Sequence, residues 1–469
     1  MRRPVAPDPD LRITILASTK SELWADVRRV ITLAIPVALA ELGWMAMTVV
    51  DTIMVGPLGP AAIGAIGVGN SAFYSFAIFG MGLLLGLDTL VSQAFGAGNR
   101  DDCHRSLSQG IYLAIFITAP LMVLFACMPP VFYALGINRE VSRLAGMFVA
   151  TLSFGTLPLL LYGAFRRYLQ GMGHVRPVMF TLISANLINW FFNWLLIQGH
   201  WGFPPLGVVG SALSTCLARL YMAMLLAWFI WWFERGRQPG FRNVFRKPDW
   251  ARLERLVHLG LPAATQILLE IAAFGAAAVL AGRLTPVALA SHQIALNCAA
   301  VTFMVPLGIS SAAAVSVGQA IGRGDPRDAR RCGYISIALA CGFMLCSALA
   351  FILIPQPILR VYTTNPGILQ IGTSLLTLAA LFQLFDGTQT VATGALRGMG
   401  NTRIPMLVNL GGYWAFGLPI GYVLCFHYGF GVYGLWWGLT IALIVIAVIL
   451  LYSWQRHSRE LVVHSSYAV

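Results

Sequence analysis

Residues 30–55 read VITLAIPVALAELGWMAMTVVDTIMV. A helix needs about 20 mainly apolar residues to cross the hydrocarbon core of a bilayer, and this run is long enough. It also holds two acids, Glu41 and Asp51, which a greasy helix would not carry without a reason. The same ruler, moved outward along the chain, gives eleven more spans near 61–90, 107–128, 141–165, 177–198, 209–233, 254–281, 286–318, 332–355, 367–396, 404–426 and 431–454. The runs are continuous and rich in Leu, Ala, Ile and Gly, not short alternating segments, so helices are predicted and a β-barrel is excluded.

Composition agrees. Of 469 residues 58% are hydrophobic and 10% charged, with a mean hydropathy of +0.75. A soluble chain would carry roughly 25% charged residues, so an ordinary globular enzyme is excluded. The net charge of +13 is therefore read by membrane side and not as a nucleic-acid signal. Neither lysine, Lys20 or Lys247, completes a phosphate-binding loop, so the chain carries no ATPase of its own. There is no HExxH, no GxSxG and no CxxC among the eight cysteines, which points away from zinc, serine-hydrolase and redox-pair chemistry. The polar, basic first 28 residues do not resemble a signal peptide. The chain reads as a transporter without an enzymatic activity or a cofactor.

Twelve spans put both termini on one side. All but five of the 31 basic residues fall on that side; Arg139, Arg143, Arg283 and Arg360 lie opposite and Arg219 lies within a span. The positive-inside rule makes the basic side cytoplasmic, as in a multi-pass protein of a bacterial inner membrane. The predicted organisation is a cytoplasmic tail (1–28), a six-helix bundle (29–233), a cytoplasmic linker (234–252), a second six-helix bundle (253–455) and a cytoplasmic tail (456–469).

The two bundles repeat. Pro36 and Pro262, Gly56 and Gly282, Pro60 and Pro286 are 226 residues apart, as are Gln93, Gly96, Gly98, Asp102 and Arg105 from Gln319, Gly322, Gly324, Asp328 and Arg331. Gln170-Gly-Met-Gly-His-Val-Arg176 recurs as Arg397-Gly-Met-Gly-Asn-Thr-Arg403. An even number of spans per unit inserts both copies in the same direction. The predicted fold is thus all-α integral membrane, twelve transmembrane helices in two six-helix bundles related by a pseudo-two-fold axis along the membrane normal.

With those residues stands a resemblance. Val50-Asp-Thr-Ile-Met-Val-Gly56, Ser92-Gln-Ala-Phe-Gly-Ala-Gly98, Ser291-His-Gln-Ile-Ala-Leu-Asn297, Pro306-Leu-Gly308 with Gly318-Gln319, and Gly394-Ala-Leu-Arg-Gly-Met-Gly400, in this order on twelve spans, resemble the multidrug and toxic compound extrusion family, near its NorM-like branch. The resemblance implies two bundles facing a central cavity and efflux of bulky, often cationic compounds in exchange for inward H⁺ or Na⁺.

An ionised acid at bilayer depth costs at least about 2.5 kcal/mol, so each intramembrane acid is a functional candidate. Asp51 leads the ion- and proton-coupling candidates. Asn189 and Asn193, four residues apart and hence on one helix face, can hydrogen-bond a carboxylate or complete a cation site. The resemblance places these three in one polar network of the first bundle, with Asn193 standing where some members carry Asp. It also implies that Glu270 and Asp386 are the cation-coupling acids of the second bundle, and they are the candidates for a Na⁺ site. The repeat does not reproduce the acids: Asp51 maps to Ala277 and Glu270 to Trp44. Asp88, close to the loop after Ser92, reads as a polar residue near the cytoplasmic surface.

Glu41, Trp44, Phe73, Trp190, Gln293 and Asn297 are candidates for the substrate cavity, the aromatics as surfaces for a lipophilic cation. Arg219 needs a counter-charge, for which Glu41 and Asp51 are available, and His292 reads as a hydrogen-bonded structural residue before a proton shuttle. Partners are small organic cations and membrane lipid, with a monomer expected and no nucleic acid. A flippase for a lipid-linked carrier is the alternative; it should cluster Arg in its cavity, whereas the spans read as holding only Arg219. An intramembrane aspartyl enzyme using Asp51 and Asp386 is the remote alternative and would need both within hydrogen-bond reach.

Overall fold

The computed structural model describes residues 9–235 and 247–466, with side chains from 24 and to 463. The predicted linker 234–252 and both tails therefore lie partly outside the described residues. In chain order the helices are α1 (Pro9–Val55), α2 (Pro60–Leu83), α3 (Gly86–Gly96), α4 (Arg100–Ala126), α5 (Met128–Ala134), α6 (Arg139–Ser153), α7 (Thr156–Gly171), α8 (Val175–Gln198) and α9 (Val208–Glu234). The second half contributes α10 (Trp250–Ala281), α11 (Pro286–Gly322), α12 (Pro326–Leu353), α13 (Pro355–Arg360), α14 (Pro366–Gly398), α15 (Arg403–Asn409), α16 (Leu418–Tyr422) and α17 (Val432–Ser466). Among the described residues eleven helices are long and apolar enough to span a membrane, and α6 with α7, bent by 50° at their junction, makes the twelfth.

The predicted spans are all present, and α1 begins at Pro9, so residues 9–28 of the predicted tail are helical and continuous with the first span. At the other end α17 runs through Gln455 to Ser466.

The repeat written in the sequence is a repeat in three dimensions. Asn99 caps α4 by accepting from the Asp102 amide at 3.1 Å, and Asp325 caps α12 by accepting from the Asp328 amide at 3.0 Å. Gly98 and Gly324 precede these caps with φ of +73° in both, a left-handed backbone that a side chain would strain.

The two halves meet through pairs of contacts that the repeat relates to each other. A Cβ on Gly82 would lie 2.6 Å from Cα of Ala264, and one on Gly308 would lie 2.6 Å from the Ala38 nitrogen. Gln93 Nε2 donates to the Gly398 carbonyl at 3.0 Å, and Gln319 Nε2 donates to the Gly171 carbonyl at 2.9 Å. Gly96 and Gly322 press on the backbone oxygens of Gln319 and Gln93. Near the same helix ends Arg29 pairs with Asp328 at 3.2 Å, and Arg252 pairs with Asp102. All these contacts lie between mid-span and the side that carries the termini, so the halves are sealed there.

Hydrophobic burial follows the halves with one exchange. One core is built from residues of α1 to α9, beginning at Ala40, together with Leu253, Leu256 and Ala264 of α10. The other is built from α10 to α17, together with Val30, Leu33, Ala34 and Val37 of α1 and Val175 at the start of α8. The start of each half's leading helix thus packs into the other half.

Because the Gly82 and Ala264 backbones touch, Gly82→Val should cost about 1–3 kcal/mol by overpacking. A lowered melting temperature of the purified protein in detergent checks this; an unchanged one would mean that the α2–α10 contact is slack.

Candidate functional site

Between the halves lies a cavity of about 550 Å³, bounded chiefly by α1, α2, α7, α10, α11 and α14. Its walls are mostly apolar, from residues such as Phe274, Phe303, Met304 and Phe382, with Glu270 and Asp386 set into them. α10 and α14 bring these two acids together through a third residue. Gln389, fully buried one helical turn after Asp386, donates from one amide nitrogen to Glu270 Oε1 at 3.2 Å and to Asp386 Oδ1 at 3.3 Å. Its Oε1 is buried and accepts no hydrogen bond among the described residues. Tyr413 Oη reaches Glu270 Oε1 at 3.5 Å from a π-helical stretch, Leu410–Gly417, in the eleventh span. Wider turns of this kind inside a helix recur at functional sites. No guanidinium pairs with Glu270 or Asp386 among the described residues, so their charge is met only by neutral donors.

Asp51 occupies a separate enclosure within the first half. Asn193 Nδ2 donates to its Oδ1 at 2.7 Å and also to Asn189 Oδ1 at 3.1 Å. Thr215 of α9 donates to Asp51 Oδ2 at 3.2 Å. All four residues are buried, and none lines the large cavity. The carboxylate again accepts hydrogen bonds from neutral donors only, with the Arg219 guanidinium acting on it from farther away, and Asn193 Oδ1 has no hydrogen-bond partner among the described residues.

Of the predicted cavity residues, Glu41 and Trp44 line it. Phe73 does not: it is fully buried, stacked on Phe125 with centroids 4.5 Å apart, and carries the Arg219 guanidinium 4.5 Å above its ring. Trp190 does not either, being 52% exposed on the outside of α8. Gln293 and Asn297 are exposed on the same helical face as the cavity-lining Ala300 and Met304, which places them beyond the enclosed volume toward the open side.

Arg219 makes no direct ion pair with either predicted partner, and of the two its charge acts on Asp51 from farther away. Glu41 is held instead by Arg166 of α7, and Arg219 is met by the faces of Phe73 and Tyr74 and by the Tyr74 hydroxyl at 3.4 Å. His292 accepts from the Trp436 indole at 3.1 Å and is fully buried between α11 and α17, which fits a structural role.

The reading that the spans hold only Arg219 is wrong. Arg166, Arg167 and Arg397 line the floor of the cavity, where α7 and α14 run on past the apolar window that a sequence ruler detects. Asp88 is likewise 1% exposed and not at a surface: its Oδ2 lies 3.4 Å from Arg167 Nη1 and 3.4 Å from Arg397 Nε, the second across the two halves. Thr215, Gln389, Tyr413 and these arginines were not singled out in the sequence. Only Arg397 left a signal there, as the charged counterpart of Gln170 in the repeated Gly-Met-Gly motif.

Comparison with known proteins fits this architecture. The family model MatE matches residues 36–195 and 262–423, and the chain belongs to that family. Membership places it among transporters and not enzymes. It is 34% identical over 451 residues to a probable multidrug resistance protein NorM of Mesorhizobium japonicum, covering 94% of this chain and 97% of that one. It is 37% identical over 431 residues to multidrug resistance protein NorM of Burkholderia vietnamiensis, covering 91% and 92%. Among solved structures, the eukaryotic MATE transporter AtDTX14 superposes with a TM-score of 0.81 at 20% identity over 94% of this chain and 99% of that one. A MATE in the bent conformation superposes with 0.85 at 19% identity over 95% and 98%.

Gln389→Leu removes the donor shared by Glu270 and Asp386 and should destabilise the protein by about 1–3 kcal/mol, because both acids lose an amide partner. The melting temperature of the purified protein in detergent checks this, and an unchanged value would show that Gln389 does not organise the pair.

Proposed function

We propose that the protein exports bulky, mostly cationic organic compounds across a bacterial inner membrane in exchange for inward H⁺ or Na⁺, acting as a monomer by alternating access. The observation that carries this reading is that Asp51, Glu270 and Asp386 are set into the membrane-spanning body with no guanidinium or ammonium in direct ion pair with them among the described residues, Arg219 acting on Asp51 only from farther away. A carboxylate in such surroundings is costly unless a mobile cation or a proton visits it. Glu41 does not share this property, because Arg166 already holds it.

The two stations suit different tasks. Glu270 and Asp386 open on the large apolar cavity, where a lipophilic cation can be solvated by aromatic faces and attracted by the acids. With Gln389 Oε1 they also offer an oxygen set of the kind that holds Na⁺ or, when protonated, releases an organic cation. Asp51 with Asn189, Asn193 and Thr215 sits outside that cavity and suits a proton or small ion better than a bulky one. Driving energy is adequate, at about 2.3 kcal/mol per unit charge for 100 mV and about 1.36 kcal/mol per pH unit.

In this reading the basic, terminus-bearing side is cytoplasmic, the sealed contacts face the cytoplasm, and the cavity is open outward. The halves 29–233 and 253–455 exchange this closure for one on the opposite side. The flippase alternative gains one observation, the three arginines on the cavity floor, but Glu41 and Asp88 share those charges, which leaves far less than a pyrophosphate would require. The aspartyl-enzyme alternative finds no support, since Asp51 and Asp386 sit in different clusters with no shared partner.

Efflux of a fluorescent cation from proteoliposomes, driven separately by a pH or a sodium gradient, tests the proposal. Asp51→Asn should abolish ion-driven efflux while the protein still inserts, and full transport by the purified variant would refute that assignment. Glu270→Gln and Asp386→Asn should each remove or alter the ion dependence; if neither does, the cavity acids are not the coupling site.

A further inference from the structure

On the side that carries the termini, the second half holds a pocket of about 430 Å³ that shares no residue with the central cavity. It lies between the start of α10, the turn from α14 to α15 and the last turns of α17, and its lining mixes His258, Arg403, His457 and Glu460 with apolar Leu259 and Met399. Arg403 Nη2 donates to His258 Nε2 at 2.9 Å, and no carboxylate of the described residues pairs with this guanidinium. Glu460 lines the pocket too, but its carboxylate is engaged by Arg456 Nε at 3.0 Å. The charge left over in the pocket is therefore that of Arg403.

The repeat makes this pocket a departure of the second half. In the register that pairs Gly210 with Gly434, Phe233 corresponds to His457, and in the repeated Gly-Met-Gly motif His174 corresponds to Asn401. In the first half the His174 and Phe233 rings pack edge to face with centroids 4.7 Å apart. In the second half Asn401 and His457 line the pocket instead. α9 stops at Glu234, the counterpart of Ser458, whereas α17 runs on to Ser466 and contributes Glu460 and Leu461 to the wall. Deeper in the membrane the surface turns apolar. Leu261, one helical turn inward from His258, and Leu407, one turn inward from Arg403, are both exposed, and so are Leu410 and Trp414 farther along the eleventh span. The Trp414 indole donates to the Leu269 carbonyl at 3.1 Å and holds that span to α10 along this strip. An unpaired guanidinium thus stands at the water-facing end of a lipid-facing apolar strip.

We propose that this pocket binds the phosphate of an anionic phospholipid headgroup, with Arg403 on the phosphate oxygens and the acyl chains along Leu261, Leu407 and Leu410. The planar fork of a guanidinium matches two phosphate oxygens, and basic pockets between helices at headgroup depth are suited to acidic lipids. Inorganic phosphate offers the same anion but leaves the apolar strip bare. A choline headgroup offers the same phosphate with a fixed cation beside it, which Arg403 repels. The site lies apart from Asp51, Glu270 and Asp386, so it stands or falls independently of the exporter reading.

Native mass spectrometry of the purified full-length chain, with palmitoyl-oleoyl phosphatidylglycerol or phosphatidylcholine added to the detergent, reads the binding. The wild-type protein should take up the first phosphatidylglycerol about tenfold more tightly than phosphatidylcholine. Arg403→Gln should cut that preference to about twofold or less, with Arg403→Lys recovering part of it. His457→Phe restores the ring that the first half carries at this place and should lower the preference as well. Arg176→Gln is the control, because Arg176 is the exposed counterpart of Arg403 in the first half and lines neither cavity; it should leave the preference unchanged. Inorganic phosphate, added against sodium chloride of equal ionic strength, should not displace the lipid. Equal losses in Arg403→Gln and Arg176→Gln would overturn the site and leave only a general attraction of basic residues for acidic lipid. No loss in both Arg403→Gln and His457→Phe would overturn it too, and displacement by inorganic phosphate would overturn the lipid headgroup in favour of a free anion.

Discussion

The dominant constraint on this molecule is the cost of keeping a carboxylate out of water. The chain meets it in two ways. Asp88, Glu41, Asp102 and Asp328 are each matched by guanidinium groups, and several of these pairs tie one half to the other. Asp51, Glu270 and Asp386 accept hydrogen bonds only from amides and hydroxyls among the described residues, which soften the penalty without cancelling the charge. The first group holds helices together through ion pairs, and the second keeps its charge without a direct ion pair. The division of labour follows from partner chemistry and not from depth or residue type, since Asp88 is as deeply buried as Asp51.

The scaffold around these acids is symmetric where the halves meet and asymmetric at the acids themselves. Gln93 and Gln319, Gly82 and Gly308, Gly96 and Gly322 repeat the same contacts across the interface. By contrast, Asp51 has no acidic counterpart in the second half, and Glu270 corresponds to Trp44, which faces the same cavity from the other side. The fifth span is an unbroken α-helix, whereas the eleventh carries the π-helical turns that bring Tyr413 to Glu270. Duplication supplied a closure that works from both sides, and divergence placed one polar enclosure in one half and the principal acids of the cavity in the other.

Much of this was legible in the sequence because membrane helices advertise themselves. Apolar run length located all twelve spans, and the constant offset of Pro36, Gly56 and Gln93 from their counterparts revealed the repeat. Asp51, Glu270 and Asp386 were found because an acid in an apolar run has no other ready explanation. The arginines of the floor were missed for the complementary reason. Arg166, Arg167 and Arg397 lie at the ends of apolar runs, where a linear reading assigns them to the water, yet packing of α7 and α14 buries Arg166 and Arg397 and leaves the Arg167 side chain only 12% exposed. Phe73 and Trp190 failed as cavity residues because an aromatic in a span has three surroundings open to it, and only the rotation of its helix decides among core, cavity and lipid. Gln389 and Thr215 are neutral and unremarkable in sequence, and became visible only when α14 and α9 were set beside the acids.

The exchange between the two hydrophobic cores bears on how such a body can move. Val30 to Val37 are packed with the second half, while α1 from Ala40 onward is packed with the first; Leu253 to Ala264 of α10 likewise sit with the first half, and Ala273 onward with the second. Each of these two helices is thus gripped at one end by either lobe, and each carries a proline, Pro36 or Pro262, close to the changeover. A proline withholds one backbone hydrogen bond from the helix, so flexure is cheapest there. Two lobes pivoting as undivided blocks would tear both leading helices from one of their seats; bending at these paired articulations lets every seat stay filled.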